Sequence, residues 1–117
     1  MLAISSGIEA NCIPDEFNAN SELEVKSLIF GAAINRIKTN SKACLRIVNS
    51  ILDYYPDDGA SMQLKGEALA ELKRDKEAIN AWLKLVHSEH EETAIKARQS
   101  ISQLLAQKAL LISAEKS

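Results

Sequence analysis

Residues 59–92 read GASMQLKGEALAELKRDKEAINAWLKLVHSEHEE, and this stretch decides the fold class. Its first half places Leu64, Ala68 and Leu72 at intervals of four residues, which is the spacing of one helix face. Apolar residues around Trp82 recur at similar intervals in its second half. The mixed charges between the two halves are typical of a solvated turn. We therefore predict two antiparallel helices joined by a short connector.

Two further helices are predicted before this stretch. Ser21 and Glu24 form a capping-box pattern, so the first helix is expected to start near Ser21. Its apolar stripe is broad, which predicts that it is well buried. Asn40 or Ser41 is expected to cap the second helix. That helix should end before Pro56, because the residue preceding a proline is pushed out of the helical region.

A fifth helix is predicted after residues 59–92. Ser88 and Glu91 form a second capping-box pattern, and helical spacing continues to about Leu111. Within the central stretch, Asp75 is expected to cap the helix that carries Trp82. No segment alternates convincingly between apolar and polar residues, so the predicted fold class is all-α.

The central stretch also shows an internal repeat. Counting back 34 residues from Gly66 and from Ala78 reaches Ala32 and Cys44, which are small residues as well. With Trp82 one turn after Ala78, this spacing resembles the tetratricopeptide repeat (TPR) family, whose unit of about 34 residues contains two helices.

The resemblance implies a role for each matching residue. In the family, small residues face each other where paired helices cross, which corresponds to Gly66 and Ala78. A large aromatic side chain wedges toward the next repeat, which corresponds to Trp82, and Pro56 matches the proline that closes a repeat. The next repeat lacks its proline, because His90 occupies that position. The implied fold is a TPR-like helical-hairpin solenoid of about two repeats plus a C-terminal capping helix, with a plain helical bundle as the alternative.

The expected organisation is one domain with short ends. Residues 1–20 are predicted to form an N-terminal arm, residues 21–113 the TPR-like helical domain, and residues 114–117 a tail. The first helix is apolar nearly all round, so a second body should cover part of it. That body could be the arm, a second copy of the chain or a foreign partner.

A concave groove lined by the first helix of each repeat is a further implication of the resemblance. Some members of the family grip a peptide's terminal carboxylate with Lys, Asn and Arg side chains. Gln63 and Glu67 stand where such donors would be needed, which disfavours that use. An amphipathic helix or an extended segment is the expected occupant. The predicted protein-binding residues are Lys26, Ile29, Ala33, Arg36, Gln63, Glu67, Ala70, Glu71, Ala97 and Ile101.

Composition narrows the classes of partner. The 117 residues carry 14 Lys and Arg against 16 Asp and Glu, a net charge of −2, which disfavours nucleic acid and a polybasic membrane anchor. No apolar run approaches the roughly 20 residues that span a bilayer, so no membrane segment is expected. A cytoplasmic location is the default prediction.

The sequence contains few patterns of catalytic or metal-binding residues. His87 and His90, with glutamates beside them, form the one cluster of metal-ligand types, and no distant pattern supports it. Cys12 and Cys44 form no zinc or CxxC pattern and are expected to be reduced thiols. We predict no catalytic residue, no metal and no cofactor, and therefore not an enzyme.

The function predicted from sequence is a protein–protein interaction module, either an adaptor or a chaperone-like protein. Small bacterial TPR proteins that act as secretion chaperones are the closest analogy in fold. One alternative is a structural homo-oligomer, such as a homodimer, and another is a small enzyme or metal protein using His87 and His90. The self-association would use the late apolar residues Leu104, Leu105, Leu110, Leu111 and Ile112.

Overall fold

The computed structural model describes the backbone of residues 15–116 and the side chains of residues 22–113. Within this part of the chain there are five α-helices and no strand, which confirms the all-α prediction. They are α1 (Asp15–Arg36), α2 (Ser41–Tyr54), α3 (Gly59–Glu71), α4 (Asp75–Leu83) and α5 (Glu91–Lys116).

Two of these helices begin at a side-chain cap. Asn40 is the N-cap of α2, and its side-chain oxygen accepts a hydrogen bond from the backbone N–H of Ala43 at 3.1 Å. Asp58 caps α3 in the same way, accepting from the N–H of Ser61 at 3.2 Å and from the Ser61 hydroxyl. As expected, α2 ends just before Pro56.

The capping boxes predicted from sequence were wrong. Helix α1 begins at Asp15, so Ser21 lies inside it rather than at its start. The hydroxyl of Ser88 accepts from the N–H of His90, two residues on, which takes it away from Glu91. A nearby acidic residue is not enough for a capping box, because the hydroxyl must also reach the third amide of the helix.

The cap predicted at Asp75 was wrong too. The N-cap of α4 is Arg74, which makes no side-chain capping bond, and Asp75 lies instead 3.6 Å from Lys108 of α5. The predicted domain limits after residues 20 and 113 fall inside α1 and α5. Residues 1–14 of the predicted arm lie outside the described part.

The helices pack mainly on their chain neighbours. Each helix contacts the next one, and α3 also contacts α5. Side-chain pairs from α1 to the start and end of α3, Lys26 with Asp58 and Lys38 with Glu71, show that these two helices run in the same direction. The described chain is elongated, with extents of 79 × 31 × 17 Å along its principal axes.

Two apolar clusters make up the core. The first joins α1, α2 and α3 around Cys44 and Val48, and the second joins α3, α4 and α5 around Trp82. Leu45 packs against both clusters. Trp82 is only 3% exposed, as predicted, and its indole Nε1 donates to the backbone carbonyl of Gln63 at 3.1 Å. These contacts fix the position of α3 between α1 and α2 on one side and α4 and α5 on the other.

Gly66 was predicted to pack against Ala78, but the group that lies against it is the side chain of Trp82. A Cβ built on Gly66 would lie 2.2 Å from the Nε1 of Trp82, so glycine is needed under the indole ring rather than under Ala78. Ala78 is fully buried in the same cluster.

Candidate functional site

An open groove lies between α1, α3 and α5. It consists of two adjoining cavities of about 450 and 470 Å³ that share Ile37, Glu67 and Lys96. We call this combined surface the groove. Because three helices contribute to this concave surface, it is the first candidate for a binding site.

Helix α3 supplies the floor of the groove. Gln63, Glu67 and Glu71 follow one another at intervals of four residues, which places them on one helix face. Gln63 is only 5% exposed, and its Nε2 donates to Ser100 of α5 at 2.8 Å and to Glu67 at 3.3 Å. These bonds tie α3 to α5 and hold the floor in place.

Helix α5 supplies a polar wall. Gln99, Gln103 and Gln107 again follow at intervals of four residues and line the first cavity, and Lys96 lines both cavities. The three glutamines are exposed, and within residues 22–113 no hydrogen bond engages their side-chain amides. They offer both donors and acceptors to a ligand.

Helix α1 supplies an apolar wall that ends in a charge. Phe30, Ile34 and Ile37 line the groove. Just beyond them, Lys38 pairs with Glu71 of α3 at 2.8 Å. The hydrogen bond that Lys38 donates to the carboxylate of Glu71 raises the pKa of Lys38, but the pair is exposed and contributes little to stability.

The groove residues predicted on α3 do line the groove. Glu67, Ala70 and Glu71 border the first cavity, while Gln63 and Glu67 border the second. The bonds of Gln63 to its neighbours could not be read from the sequence, because they depend on how far α5 is rotated.

The groove residues predicted on α1 lie elsewhere. Ala33 is fully buried in the core, and Arg36 is exposed, with its guanidinium donating to the carbonyl of Ala32 at 2.9 Å. Lys26 and Ile29 border a different pocket, between α1 and α2. The cause is the repeat spacing: a spacing of 34 was assumed, whereas the pairs between α1 and α3 are 32 and 33 residues apart. One residue rotates a helical face by about 100°.

The two residues predicted on α5 belong to the core. Ala97 is fully buried, and Ile101 packs against the cluster around Trp82. The bond from Gln63 to Ser100 spans 37 residues, so α5 too is rotated relative to an even repeat. Helical spacing of apolar residues on α5 locates the core face only in part, because Ala97 and Leu104 are buried whereas Leu105 is 51% exposed. The polar residues beside Ala97 and Leu104 could have identified the groove face.

A second pocket of about 460 Å³ lies between α1 and α2. Val25, Ile29 and Ile51 make it apolar, and Lys26 lies at its edge. The ammonium of Lys26 is 3.1 Å from Asp58 and 4.9 Å from the ring centroid of Tyr55. Lys26 therefore joins α1 to the start of α3 and is not free to bind a ligand.

The pKa of Asp58 follows from these contacts. Burial alone would raise it, but hydrogen bonds from Ser61 and Lys26 favour the carboxylate and hold the pKa below its usual value. Asp58 is thus a structural carboxylate at neutral pH.

The described residues hold few groups suited to metal or thiol chemistry. Within residues 22–113 no three side chains of His, Cys, Asp or Glu come together in a metal-binding arrangement. Cys44 is a buried free thiol, and burial, assisted by the negative charge of Glu67, raises its pKa. That change makes it less reactive, because the thiolate is the nucleophile. In the described chain no helix has both the length and the apolar character to cross a bilayer.

Comparisons with protein-family models, with curated proteins and with solved structures gave no match. The site must therefore be interpreted from its own geometry.

Proposed function

We propose that this chain is a protein-binding module, an adaptor or chaperone-like protein rather than an enzyme, that holds a segment of another protein in the groove. The observation that carries the proposal is a wide, open groove with a fixed floor and unoccupied hydrogen-bonding groups on its wall. Because the Gln63 side chain is already buried and hydrogen-bonded, ligand binding loses no further conformational entropy at this residue. The exposed amides of α5 can then pair with a ligand directly.

A TPR-like solenoid is the arrangement that we propose for the fold. Helices α1 and α3 run in the same direction and are one hairpin apart, as the first helices of successive repeats would be. Each helix packs on its neighbour in the chain and α3 packs on α5, as expected where stacked hairpins bury a continuous core. A cytoplasmic setting suits the buried free thiol of Cys44.

Selection from a phage library of random twelve-residue peptides tests the proposed function. Two variants, Gln103→Lys in the groove and Asn80→Lys on α4, place the same new charge on exposed positions. Selected peptides should lose at least about tenfold in affinity for Gln103→Lys, because the new charge lies on the binding wall. They should bind Asn80→Lys within about twofold of the parent. Equal losses in both variants, or no selected peptide at all, would contradict the proposal.

Self-association is a second candidate function, supported by exposed apolar residues at the end of α5. Leu105, Leu110, Leu111 and Ile112 are each at least half exposed, and Leu110 reaches 72%. Exposed apolar side chains concentrated at one end of a helix can mark an interface. Sedimentation velocity over a hundredfold range of concentration tests it: a dimer that is lost in Leu111→Glu supports it, and a monomer throughout contradicts it.

A further inference from the structure

We infer that the groove recognises an extended peptide segment by its main chain, through the glutamine row of α5. One apolar side chain of the segment would lie against α1. This inference rests on the proposed function, and it names the conformation and chemistry of the partner.

The spacing of the glutamine row supports an extended partner. Gln99, Gln103 and Gln107 stand four residues apart, which is about 6 Å along the helix axis. An extended chain repeats every two residues, about 6.6–6.8 Å, and its N–H and C=O groups point to the same side with that period. The long glutamine side chains can absorb a mismatch of less than about 1 Å per step. Each amide supplies a donor and an acceptor, which is what a peptide group requires.

The floor of the groove adds an unpartnered acceptor. Gln63 is 95% buried, and no donor from residues 22–113 reaches its Oε1, while its Nε2 is engaged by Ser100 and Glu67. The orientation of the amide is fixed by Glu67, whose carboxylate requires a donor. A buried acceptor without a partner is uncommon in native proteins. Its enclosed Oε1 and its bonds to Glu67 and Ser100 make Gln63 a fixed part of the floor, so the exposed glutamines of α5 are the groups that meet the main chain of a bound segment.

The second cavity of the groove, on the side of α1, can accept one apolar side chain of the segment. Phe30, Ile34 and Ile37 of α1 face Leu64 of α3 there. The charges around the groove nearly balance, because Lys38 and Lys96 stand against Glu67, Glu71 and Glu92. A segment of low net charge with one apolar anchor therefore fits best.

An amphipathic helix fits this surface less well. Such a ligand needs a continuous apolar strip to receive residues at spacings of three and four. The α5 wall instead presents polar side chains from Lys96 to Gln107, with Leu104 as the one apolar residue among them. Docking an apolar helix face there would bury several amides without partners.

Two synthetic peptide sets, used with the full-length chain, test the inference. One is an array of random octapeptides with blocked ends, which are too short to hold a stable helix. The other is a set of hydrocarbon-stapled helical peptides of random surface sequence. The best octapeptides are then resynthesised with a single N-methyl group at each position in turn, which removes one main-chain donor and leaves the side chains unchanged.

The expected result is a sensitivity that alternates along the octapeptide. N-methylation at every second residue should weaken binding about tenfold or more, and at the intervening residues by less than about threefold. Gln103→Met keeps the length and helix preference of the side chain but removes the amide, so it should weaken binding about three- to tenfold. Asn80→Met, the matched control outside the groove, should leave the affinity within twofold.

The contrary outcomes separate the inference from the proposed function. Octapeptides that bind but tolerate N-methylation everywhere would overturn main-chain recognition while leaving a binding groove. Stapled helices that bind and depend on Gln103, with no octapeptide retained, would overturn the extended conformation alone. No binding in either set would overturn both the inference and the proposed function.

Discussion

Gly31 and Gly66 lie in the middle of α1 and α3, and the structure gives them opposite roles. A Cβ on Gly66 would lie 2.2 Å from the indole of Trp82, whereas nothing lies within 4 Å of a Cβ on Gly31. The second hairpin, α3 with α4, is closed around Trp82. The first hairpin, α1 with α2, is centred on the smaller Cys44 and Val48.

The difference shows where each hairpin can accept change. In the second hairpin the indole ring of Trp82 lies directly against the α3 backbone, because Gly66 has no side chain there. In the first hairpin the apolar side chains of Leu23, Val25 and Leu28 remain exposed on α1, and a pocket stays open beside Ile29. We therefore expect stability to depend mainly on the second hairpin and to be nearly insensitive to several positions of the first.

Trp82→Ala should produce the largest effect. The ring is almost fully buried and its Nε1 donates to the carbonyl of Gln63, so its removal leaves a cavity and the loss of one hydrogen bond between the helices. The free energy of unfolding should fall by roughly 3–5 kcal/mol. In the first hairpin, Tyr54→Ala is the control, because Tyr54 is 84% exposed and should change stability by less than about 0.5 kcal/mol. Urea denaturation of both variants measures this, and similar losses would remove the distinction between the hairpins.

Gly66→Ala and Gly31→Ala form the sharpest matched pair. The methyl group at position 66 must displace the Trp82 ring and should cost about 1–3 kcal/mol. At position 31 the same methyl group meets no neighbour, so the higher helix preference of alanine should stabilise by about 0.5–1 kcal/mol. Thermal melts should therefore shift in opposite directions. A stabilised Gly66→Ala variant would mean that the indole does not lie against the α3 backbone.

Asp58 connects the two hairpins and should make stability depend on pH. Its pKa is lowered in the folded state, so its contribution is fully present above the unfolded value, near pH 4, and is lost as the pH falls through the folded value. Asp58→Asn keeps a capping side chain but cannot titrate, so its stability should fall less steeply than that of the parent as the pH decreases below about 4. Asp58→Ala should cost about 0.5–2 kcal/mol at pH 7. Parallel acid titrations of the parent and the Asn variant would contradict the assigned contacts.

Lys73→Gly should have the smallest effect. Lys73 follows the end of α3 with a φ of 65°, a left-handed conformation that glycine adopts at lower cost. The N–H of Arg74 donates to the carbonyl of Leu69 at 2.9 Å, which is the bond that closes this type of helix end. The variant should be more stable by up to about 1 kcal/mol, and Lys76→Gly inside α4 should be less stable by a similar amount. A loss of stability in Lys73→Gly would indicate a different chain path between the helices of the second hairpin.

The sequence predicted the elements better than their rotations. Apolar spacing located all five helices, and Pro56 and Asn40 marked two of their ends, because these signals act within one or two turns. The four residues predicted on α3 line the two cavities, and their role in binding a protein stays a prediction. On α1 the same argument failed by about one residue, so Ala33 was assigned to the groove and Phe30 was missed.

The missed residues share a physical cause. Gln99, Gln103 and Gln107 have no apolar pattern of their own, and their position follows from where Ala97 and Leu104 enter the core. That depends on the contacts between α4 and α5 rather than on local preference. The cap at Asp58 was also missed, although it is a local contact with Ser61. The pairing of Asp58 with Lys26 could not be predicted, since it joins residues that are 32 positions apart.

Photo-crosslinking tests the central claim, that the groove is the binding surface, most directly. A benzophenone amino acid is placed in the full-length chain at Gln103 on the groove wall or at Asn80 on α4, two exposed positions. Each protein is irradiated with a biotinylated octapeptide retained from the array, and the crosslinked peptide is located by mass spectrometry. Crosslinks from position 103, with few or none from position 80, are the predicted result. Crosslinks of equal yield at both positions, or at position 80 alone, would place the bound peptide outside the groove and contradict the account.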